Sequence, residues 1–356
     1  MTSSGQVEVV LLIACYNGRS CIGQCLDSLL KSGDVGVQAH IVVVDNASSD
    51  GSADFVAGKY SSVNLVRLPG NLGFTGAINA GWRFARERFA GAKYFGILNQ
   101  DIIVKEGWLA ALVGHLEENP AVAAAQPKIL LWPRKDCFNT AGNRSHFLGF
   151  GLVTAYGERD VGQFDVTREI DFPSGAATLV RADAVENEQP MEDLFFLYLE
   201  DAELGWRLRQ RGHRVEYVPA GVVWHEYSFR HDYAFYFFLE RNRWYLLAMY
   251  YKVPTLLLLS PAILAMEMGQ IYFAWRNGAL RQKLRAMGFF LQGSNLSELL
   301  RRRAQVQRRR KISDRQFTRN FTGCVDLPEL RSAVLRRVGN PLLGFYWRLV
   351  RPLIFW

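Results

Sequence analysis

The chain has 356 residues, 49% hydrophobic and 21% charged, which excludes an intrinsically disordered polymer and allows two domains, or one large domain with an appendage. Five cysteines, an odd number with no CxxC pair, exclude a disulfide scaffold and a zinc ribbon. The net charge of +8 is uneven: residues 276–356 hold 18 Lys+Arg against 4 Asp+Glu, a balance of +14, whereas residues 1–275 carry −6. Such a basic region seeks a polyanion, nucleic acid or anionic lipid.

Met1–Gln6 is polar and has no basic run leading into an apolar core, so no secretory signal and a reduced cytoplasmic setting are expected. Val7–Ala14 is a continuous apolar run, the pattern of a strand buried on both faces. Cys21–Leu30 places Ile22, Leu26, Leu29 and Leu30 on one helical face. Further buried strands are expected at Ala39–Val44, ending at Asp45, at Val63–Leu68, and at Tyr94–Leu98, ending at Asn99–Asp101. Gly76–Phe89 reads as a helix. Strands alternating with helices predict a doubly wound, mostly parallel α/β sheet. Ligands of such sheets bind beyond the carboxyl ends of the strands, and the polar clusters of this chain fall there. Residues 127–190 are less regular, with Pro127, Pro133 and a short strand at Ala176–Val180. Glu200–Arg211 reads as a helix and Arg214–Val218 as a strand.

Five clusters carry chemistry. Asp45-Asn46-Ala47-Ser48-Ser49-Asp50-Gly51-Ser52 follows a strand. A carboxylate there can accept hydrogen bonds from a base or ribose, and Ser and Gly let backbone come close. The same residues also suit a solvated turn with a helix cap. Asn71–Gly81 contains Gly73, Gly76 and Asn79, and its glycines suit a helix N-terminus facing a diphosphate. The pattern is neither GxGxxG nor a Walker A loop, which disfavours a dehydrogenase or a P-loop NTPase. In Asn99-Gln100-Asp101, a carboxylate at a strand end can hold Mg2+ or Mn2+ against two phosphates, or simply close a turn. Glu200, Asp201 and Glu203 place three acids in four positions after an apolar run. Such crowding can raise one pKa toward that of a general base, and acids also favour a helix N-terminus. His225, in Val222-Val223-Trp224-His225, becomes a ligand only if it reaches a metal held by Asp101.

Taken together and in this order, the stretches IACYN (13–17), VDNASSDGS (44–52), NLGFTGAINAG (71–81), LNQD (98–101), SGAATLVR (174–181), FFLYLEDAELGWRLRQRGHRVEYVP (195–219) and VVWH (222–225) resemble family 2 glycosyltransferases of GT-A fold. More narrowly, they resemble the bacterial rhamnosyltransferase-like branch that builds cell-surface polysaccharides. The resemblance covers about residues 7–250. It implies a nucleotide-sugar site lined by Ala14, Tyr16 and Asp45, with Asn46, Gly73, Asn79 and Asn99 in its motifs. It implies a metal held by Asp101 with His225 as a further metal or phosphate ligand, and Asp201, with Glu200 beside it, as the base that deprotonates the acceptor hydroxyl. A single displacement with inversion is expected. The family's metal motif is often Asp-x-Asp; Asn99 in the first position removes one charge, a trait of the rhamnosyltransferase-like branch. Were no metal used, Arg207 or Arg230 would be the cations for the leaving group.

Val253–Trp275 is long enough to span a bilayer, but it holds Pro254, Pro261, Glu267 and Gln270. A single span would put the basic tail on the far side from the catalytic domain, against the positive-inside tendency. An interfacial segment with the tail on anionic headgroups is therefore expected, at the cytoplasmic face of the inner membrane, and no nucleic-acid partner. The expected organisation is a GT-A domain over 1–250 and a helical membrane-associated region over 251–356. The reaction expected is transfer of a sugar, rhamnose from a dTDP donor, to a lipid-linked glycan. The alternatives are a galactosyl, mannosyl or glucosyl transferase using UDP or GDP donors, and a non-catalytic GT-A scaffold in a polysaccharide-assembly complex.

Overall fold

The computed structural model describes residues 6–185, 188–227, 233–326, 333 and 335–356. Most of the polar N-terminal stretch, and Arg230, lie outside the described residues. In chain order the elements are β1 (Val7–Cys15), α1 (Ile22–Leu30), β2 (Val37–Asp45), α2 (Ser52–Lys59), β3 (Asn64–Arg67), α3 (Gly73–Arg88), β4 (Tyr94–Asn99), β5 (Ile102–Val104), α4 (Trp108–Glu118), β6 (Val122–Leu131), β7 (Phe138–Thr140), β8 (Asn143–Ser145), β9 (Gly151–Val153), β10 (Arg168–Glu169), β11 (Ala177–Arg181), α5 (Glu200–Gln210), β12 (Arg214–His225), α6 (Tyr236–Tyr250), α7 (Val253–Arg276), α8 (Leu280–Phe289), α9 (Gly293–Arg309), α10 (Asp314–Phe317) and α11 (Asn340–Val350), with short 3-10 and π turns between some of them.

Two compact units result. The first holds residues 1–143, 153–196 and 213–228 as far as they are described. Its sheet runs β10-β12-β6-β11-β4-β1-β2-β3, with β5 added on β12 and β7 on β6. β1 lies between β2 and β4, parallel to both, because its apolar run can be buried on two faces only in the middle of a sheet. β11 is antiparallel to β4 and β6, and β6 is parallel to β12. The sheet is thus mostly parallel, as expected from the strand–helix alternation, with β11 inserted the other way. Cys15 stands opposite Asp45, and Ala14 opposite Asn99, so the strand ends that carry the polar clusters share one edge.

Two elements of this unit depart from their sequence pattern. The segment after Pro127 contributes to a ten-residue strand, β6, every residue of which is buried. Pro127 lacks an N–H for the ladder; it stands opposite Val218, where the register of β12 shifts between Val218 and Val222. That irregularity contains Pro219 and Gly221, which explains why the sequence suggests a strand ending at Val218. β12 in fact continues to His225. Helix α4 buries Trp108, Leu109, Leu112, Val113 and Leu116 at helical spacing. Its first-turn amides of Leu109 and Ala110 donate to Asp34 Oδ1, each at 2.9 Å, so its cap comes from far away in the chain.

The second unit holds residues 144–152, 197–212 and 229–356 as far as they are described. Helix α6 therefore belongs with the following helices, and α5 with them. Trp206 of α5 is buried; its Nε1 donates to Ser145 Oγ at 2.8 Å, and its ring packs on Tyr250, Phe317 and Phe321. Among the described residues α7 is the one helix long and apolar enough to cross a membrane.

Candidate active site

The carboxyl edge of β1 opens into two interlaced loops. Tyr16 N donates to Gln100 Oε1 at 2.9 Å, and Gln100 Nε2 donates back to Tyr16 O at 3.2 Å. Tyr16 itself is 47% exposed, an aromatic face left to solvent beside the strand end. Asn17 N and Gly18 N donate to Ser48 Oγ and Ser52 Oγ, and Arg19 N donates to Asp50 Oδ2. The short polar residues after β2 therefore hold the loop after Ala14 and Cys15 in place. That use combines the turn reading with a positioned site.

Asp45 ends β2 and is buried. Ser48 N donates to its Oδ2 at 3.3 Å, while Oδ1 is buried and accepts no hydrogen bond among the described residues. An unmatched buried carboxylate oxygen is costly, so it marks an acceptor held ready for a donor group. Asn46 is also buried; its amide donates to Asn71 Oδ1 at 2.9 Å and to Gly73 O at 3.0 Å, and accepts from Leu72 N at 2.8 Å. Its side chain shapes the 71–73 turn. Gly73 has φ +73°, and a Cβ there would lie 2.4 Å from Phe196 O, so only glycine fits. Of the first amides of α3, Gly73 N donates to Asn71 Oδ1 at 2.8 Å and Thr75 N to Phe196 O at 3.4 Å. Asn79, fully buried, donates to Met191 O and Asp193 Oδ1 and accepts from Met191 N, which ties the 191–193 segment to α3.

Asn99, Asp101 and His225 converge. His225 Nε2 lies 3.2 Å from Asp101 Oδ1 and 3.2 Å from Asn99 Nδ2. On the other side of the ring, His225 Nδ1 lies 3.2 Å from Asn139 Oδ1, an atom that can only accept. With the Nδ1 proton given to Asn139, Nε2 of the neutral ring accepts from Asn99 Nδ2 beside the Asp101 carboxylate. Among the described residues, Asp101 Oδ1 is buried and accepts no hydrogen bond. A cation at this point, a proton on the ring or a divalent metal ion, would meet the Asp101 carboxylate. Backbone supports the pair: Glu226 N donates to Asp101 O at 2.9 Å. Among the described residues no group of three or more His, Cys, Asp or Glu side chains stands where it would hold a metal alone.

Glu200 and Asp201 begin α5, in the second unit. The backbone before them is unusual: Phe196, Tyr198 and Leu199 have φ of +61°, +68° and +63°. Such left-handed conformations in large residues cost about 1–3 kcal/mol each and cluster at functional sites. Asn242, fully buried on α6, donates to Leu197 O at 2.9 Å and Tyr198 O at 2.8 Å and so clamps this turn. Glu200 is buried; burial, and then the adjacent Asp201 carboxylate, push its carboxyl up to about 8. Its Oε2 accepts no hydrogen bond among the described residues. Asp201 is half-exposed, and its Oδ1 accepts from Ala202 N at 2.7 Å. Glu203 Oε1 accepts from Tyr250 OH and pairs with Arg207 Nε at 3.3 Å. Sequence reasoning missed Gln100, Asn139 and Asn242. Gln100 stands inside the LNQD stretch, whereas neither other amide carries a local signal.

With this geometry in view, comparison with known proteins gives a consistent result. The model of glycosyl transferase family 2 matches residues 10–187, half of the chain. The chain belongs to this family of glycosyltransferases. It is 24% identical over 204 residues to an N-acetylglucosaminyl-diphospho-decaprenol L-rhamnosyltransferase of Mycobacterium tuberculosis, covering 52% of this chain and 66% of the relative. It is 25% identical over 230 residues to a pre-mycofactocin glycosyltransferase of the same organism, covering 62% and 43%. The chain thus spans just under two thirds of the first relative and under half of the second. Among solved structures, GalNAc-T7 with UDP, GalNAc and Mn2+ superposes with a TM-score of 0.52 at 13% identity, over 68% of this chain and 48% of that one, and shares the GT-A-like fold.

Proposed function

We propose that the chain transfers a glycosyl unit from a nucleotide sugar to a lipid-linked acceptor with inversion at the anomeric carbon. The observation that carries this reading is the facing pair Asp101 Oδ1 and His225 Nε2, on the same sheet edge as the unmatched Asp45 Oδ1. Asp45 accepts from the nucleoside and Tyr16 stacks beside it. Asp101 and His225 would hold a divalent cation together with the bound donor. Such a cation supplies positive charge to the diphosphate as it leaves. Asn99 in place of an acid keeps the protein's own charge there low, which suits a metal that arrives with the donor.

The chemical step needs a base. The acceptor hydroxyl oxygen attacks the anomeric carbon while the bond to the diphosphate oxygen breaks and its electron pair leaves with the nucleoside diphosphate. Asp201 takes the hydroxyl proton. Burial and the adjacent Asp201 carboxylate favour the protonated form of Glu200. A rhamnosyl donor with a dTDP carrier and an acceptor on a lipid diphosphate are favoured, because the relative named above is a rhamnosyltransferase acting on N-acetylglucosaminyl-diphospho-decaprenol. UDP or GDP donors are the second reading within the class. Nucleotides of this kind place the reaction at the cytoplasmic membrane face. Hydrolysis of nucleotide sugars without acceptor, scored across dTDP, UDP and GDP donors with Mn2+ or Mg2+, tests the proposal. Slow metal-stimulated hydrolysis of one donor supports it; a non-catalytic scaffold hydrolyses none.

A further inference from the structure

Helix α7 has two sides of opposite character. Its inner side buries Thr255, Leu259, Ala262, Ile263, Glu267, Gln270 and Ala274. The two polar members that argue against a lipid-facing helix are fully matched there. Glu267 and Gln270 accept from Arg243 and Lys283, both 0% exposed, and Gln270 donates to Glu240. The outer side shows Leu257, Leu264, Met268, Tyr272 and Trp275, each more than half exposed. Between Lys252 and Arg276 no charged residue is exposed on this helix. A soluble surface rarely leaves such a stripe bare.

A second stripe adjoins it. Helix α11 and the residues after it bury Trp347, Val350 and Ile354 but expose Leu342, Phe345, Leu349, Leu353 and Phe355. Tyr346 OH donates to Leu258 O at 2.6 Å, and Trp356 Nε1 to Thr255 Oγ1 at 2.7 Å, which fixes this segment beside the first half of α7. Arg276 ends α7, Arg348 lies on α11 and Arg351 follows it, and all three are exposed. A second copy of the chain would bring these arginines against each other, within a region of net +14. An anionic surface matches both the charge and the apolar stripes.

We infer that the outer faces of α7 and α11 form one docking surface for an anionic lipid bilayer, which they enter in the interfacial plane without crossing it. This deepens the proposed function, since it rests on an acceptor held in a membrane, and names the surface that brings the chain there. The polar side of α7 stays against Arg243 and Lys283, the apolar side enters the acyl boundary, and the arginines meet headgroup phosphates.

The test is co-sedimentation of the full chain with vesicles of phosphatidylcholine mixed with phosphatidylglycerol, and with vesicles of phosphatidylcholine alone. The wild type should bind the anionic vesicles, bind the neutral ones more weakly, and lose most binding in high salt. Leu264→Glu and Met268→Glu should each weaken binding to anionic vesicles about tenfold or more, as loss of a buried apolar side chain dictates. The double variant Arg348→Glu/Arg351→Glu should weaken anionic binding and leave neutral binding unchanged. Thermal melting of each variant is read in parallel, so misfolding is not mistaken for lost binding. Unchanged vesicle binding in all variants overturns the inference. So does a wild-type dimer that loses its dimerisation, and no lipid binding, on Leu264→Glu. Release only by detergent identifies a span and also overturns it. Donor hydrolysis in solution is measured on the same variants; it should be unchanged, and its absence from the wild type would count against the proposed activity while the vesicle result stands.

Discussion

His225 Nε2 and Asp101 Oδ1 stand 3.2 Å apart, and the ring's other nitrogen is committed to Asn139. Asp101 Oδ1 and Asp45 Oδ1 are both buried carboxylate oxygens at this strand edge. Asp101→Ala should therefore weaken binding of the donor diphosphate and reduce its dependence on Mn2+ or Mg2+. Titration calorimetry of the nucleoside diphosphate with and without metal checks this. EDTA should suppress wild-type transfer. Full activity in EDTA would pass the charge-neutralising role to protein cations.

Asn139→Leu removes the acceptor that fixes the tautomer of His225 while leaving Asp101 in place. Such supporting partners of metal-binding histidines are typically worth about 10–100-fold in metal affinity or activity. The expected outcome is a rise of that order in the metal concentration that gives half-maximal activity, with the acceptor KM unchanged. An unchanged metal requirement would show that His225 takes no part in cation binding.

Asp201→Asn should abolish transfer, lowering kcat by about 10²–10⁴-fold while nucleotide affinity stays near that of the wild type, because a base acts on the acceptor and not on the donor. Near-normal turnover would move the role to Glu200 or Glu203.

Glu200 gives a pH prediction with a definite sign. Its carboxyl is pushed from 4.5 up to about 8 on folding, by burial first and by Asp201 second. Between those values the folded chain keeps a proton that the unfolded chain releases. Stability from this group is therefore fully present below about pH 4.5 and falls as pH rises toward about 8, by an amount on the order of a few kcal/mol. Glu200→Gln removes the titration, so its melting temperature relative to wild type should increase between pH 6 and pH 9, the interval around the raised value. A difference that does not change with pH would contradict the assignment.

Asn242→Leu should expose the cost of the turn at 196–199. Two backbone carbonyls lose their donors, about 1–3 kcal/mol of stability, and the left-handed residues lose their clamp. If the turn serves only to hold α5, kcat and stability should fall together and be restored together at low temperature. If it orients Asp201, kcat should fall further than stability accounts for, with the KM for the donor unchanged. The second outcome is the one expected.

Much of the first unit was legible in the residue pattern. The runs at β1, β2 and β4 are apolar enough to lie only between other strands, and their polar ends mark the carboxyl edge. What was not legible depended on partners distant in sequence. Helix α4 is capped by Asp34, which no local pattern indicates. β6 tolerates Pro127 because β12 shifts register opposite it, and that same shift hides the true length of β12 and places His225 at a strand end. The site residues divide in the same way. Asp45, Asp101 and His225 are candidates from their motifs, and the structure brings them to one sheet edge; the amides of Asn46 and Asn79 instead serve the surrounding loops, as their hydrogen bonds show. Glu267 and Gln270 argue in the sequence against α7 crossing a bilayer, but only their partners on α6 and α8 assign them to the buried side of the helix.

On the proposed function, the carboxyl edge would hold a nucleoside diphosphate through a metal shared by Asp101 and His225. The most direct measurement is the thermal shift of wild type and Asp101→Ala against dTDP, UDP and GDP, each with and without Mn2+ or Mg2+. A ligand bound only by the native state raises the melting temperature, by about 2.7 kcal/mol of stability at a hundredfold excess over Kd. The account predicts that one nucleoside diphosphate raises it only when metal is present, and that Asp101→Ala loses most of that rise. No shift with any nucleotide and metal, or an equal shift in Asp101→Ala, would contradict it.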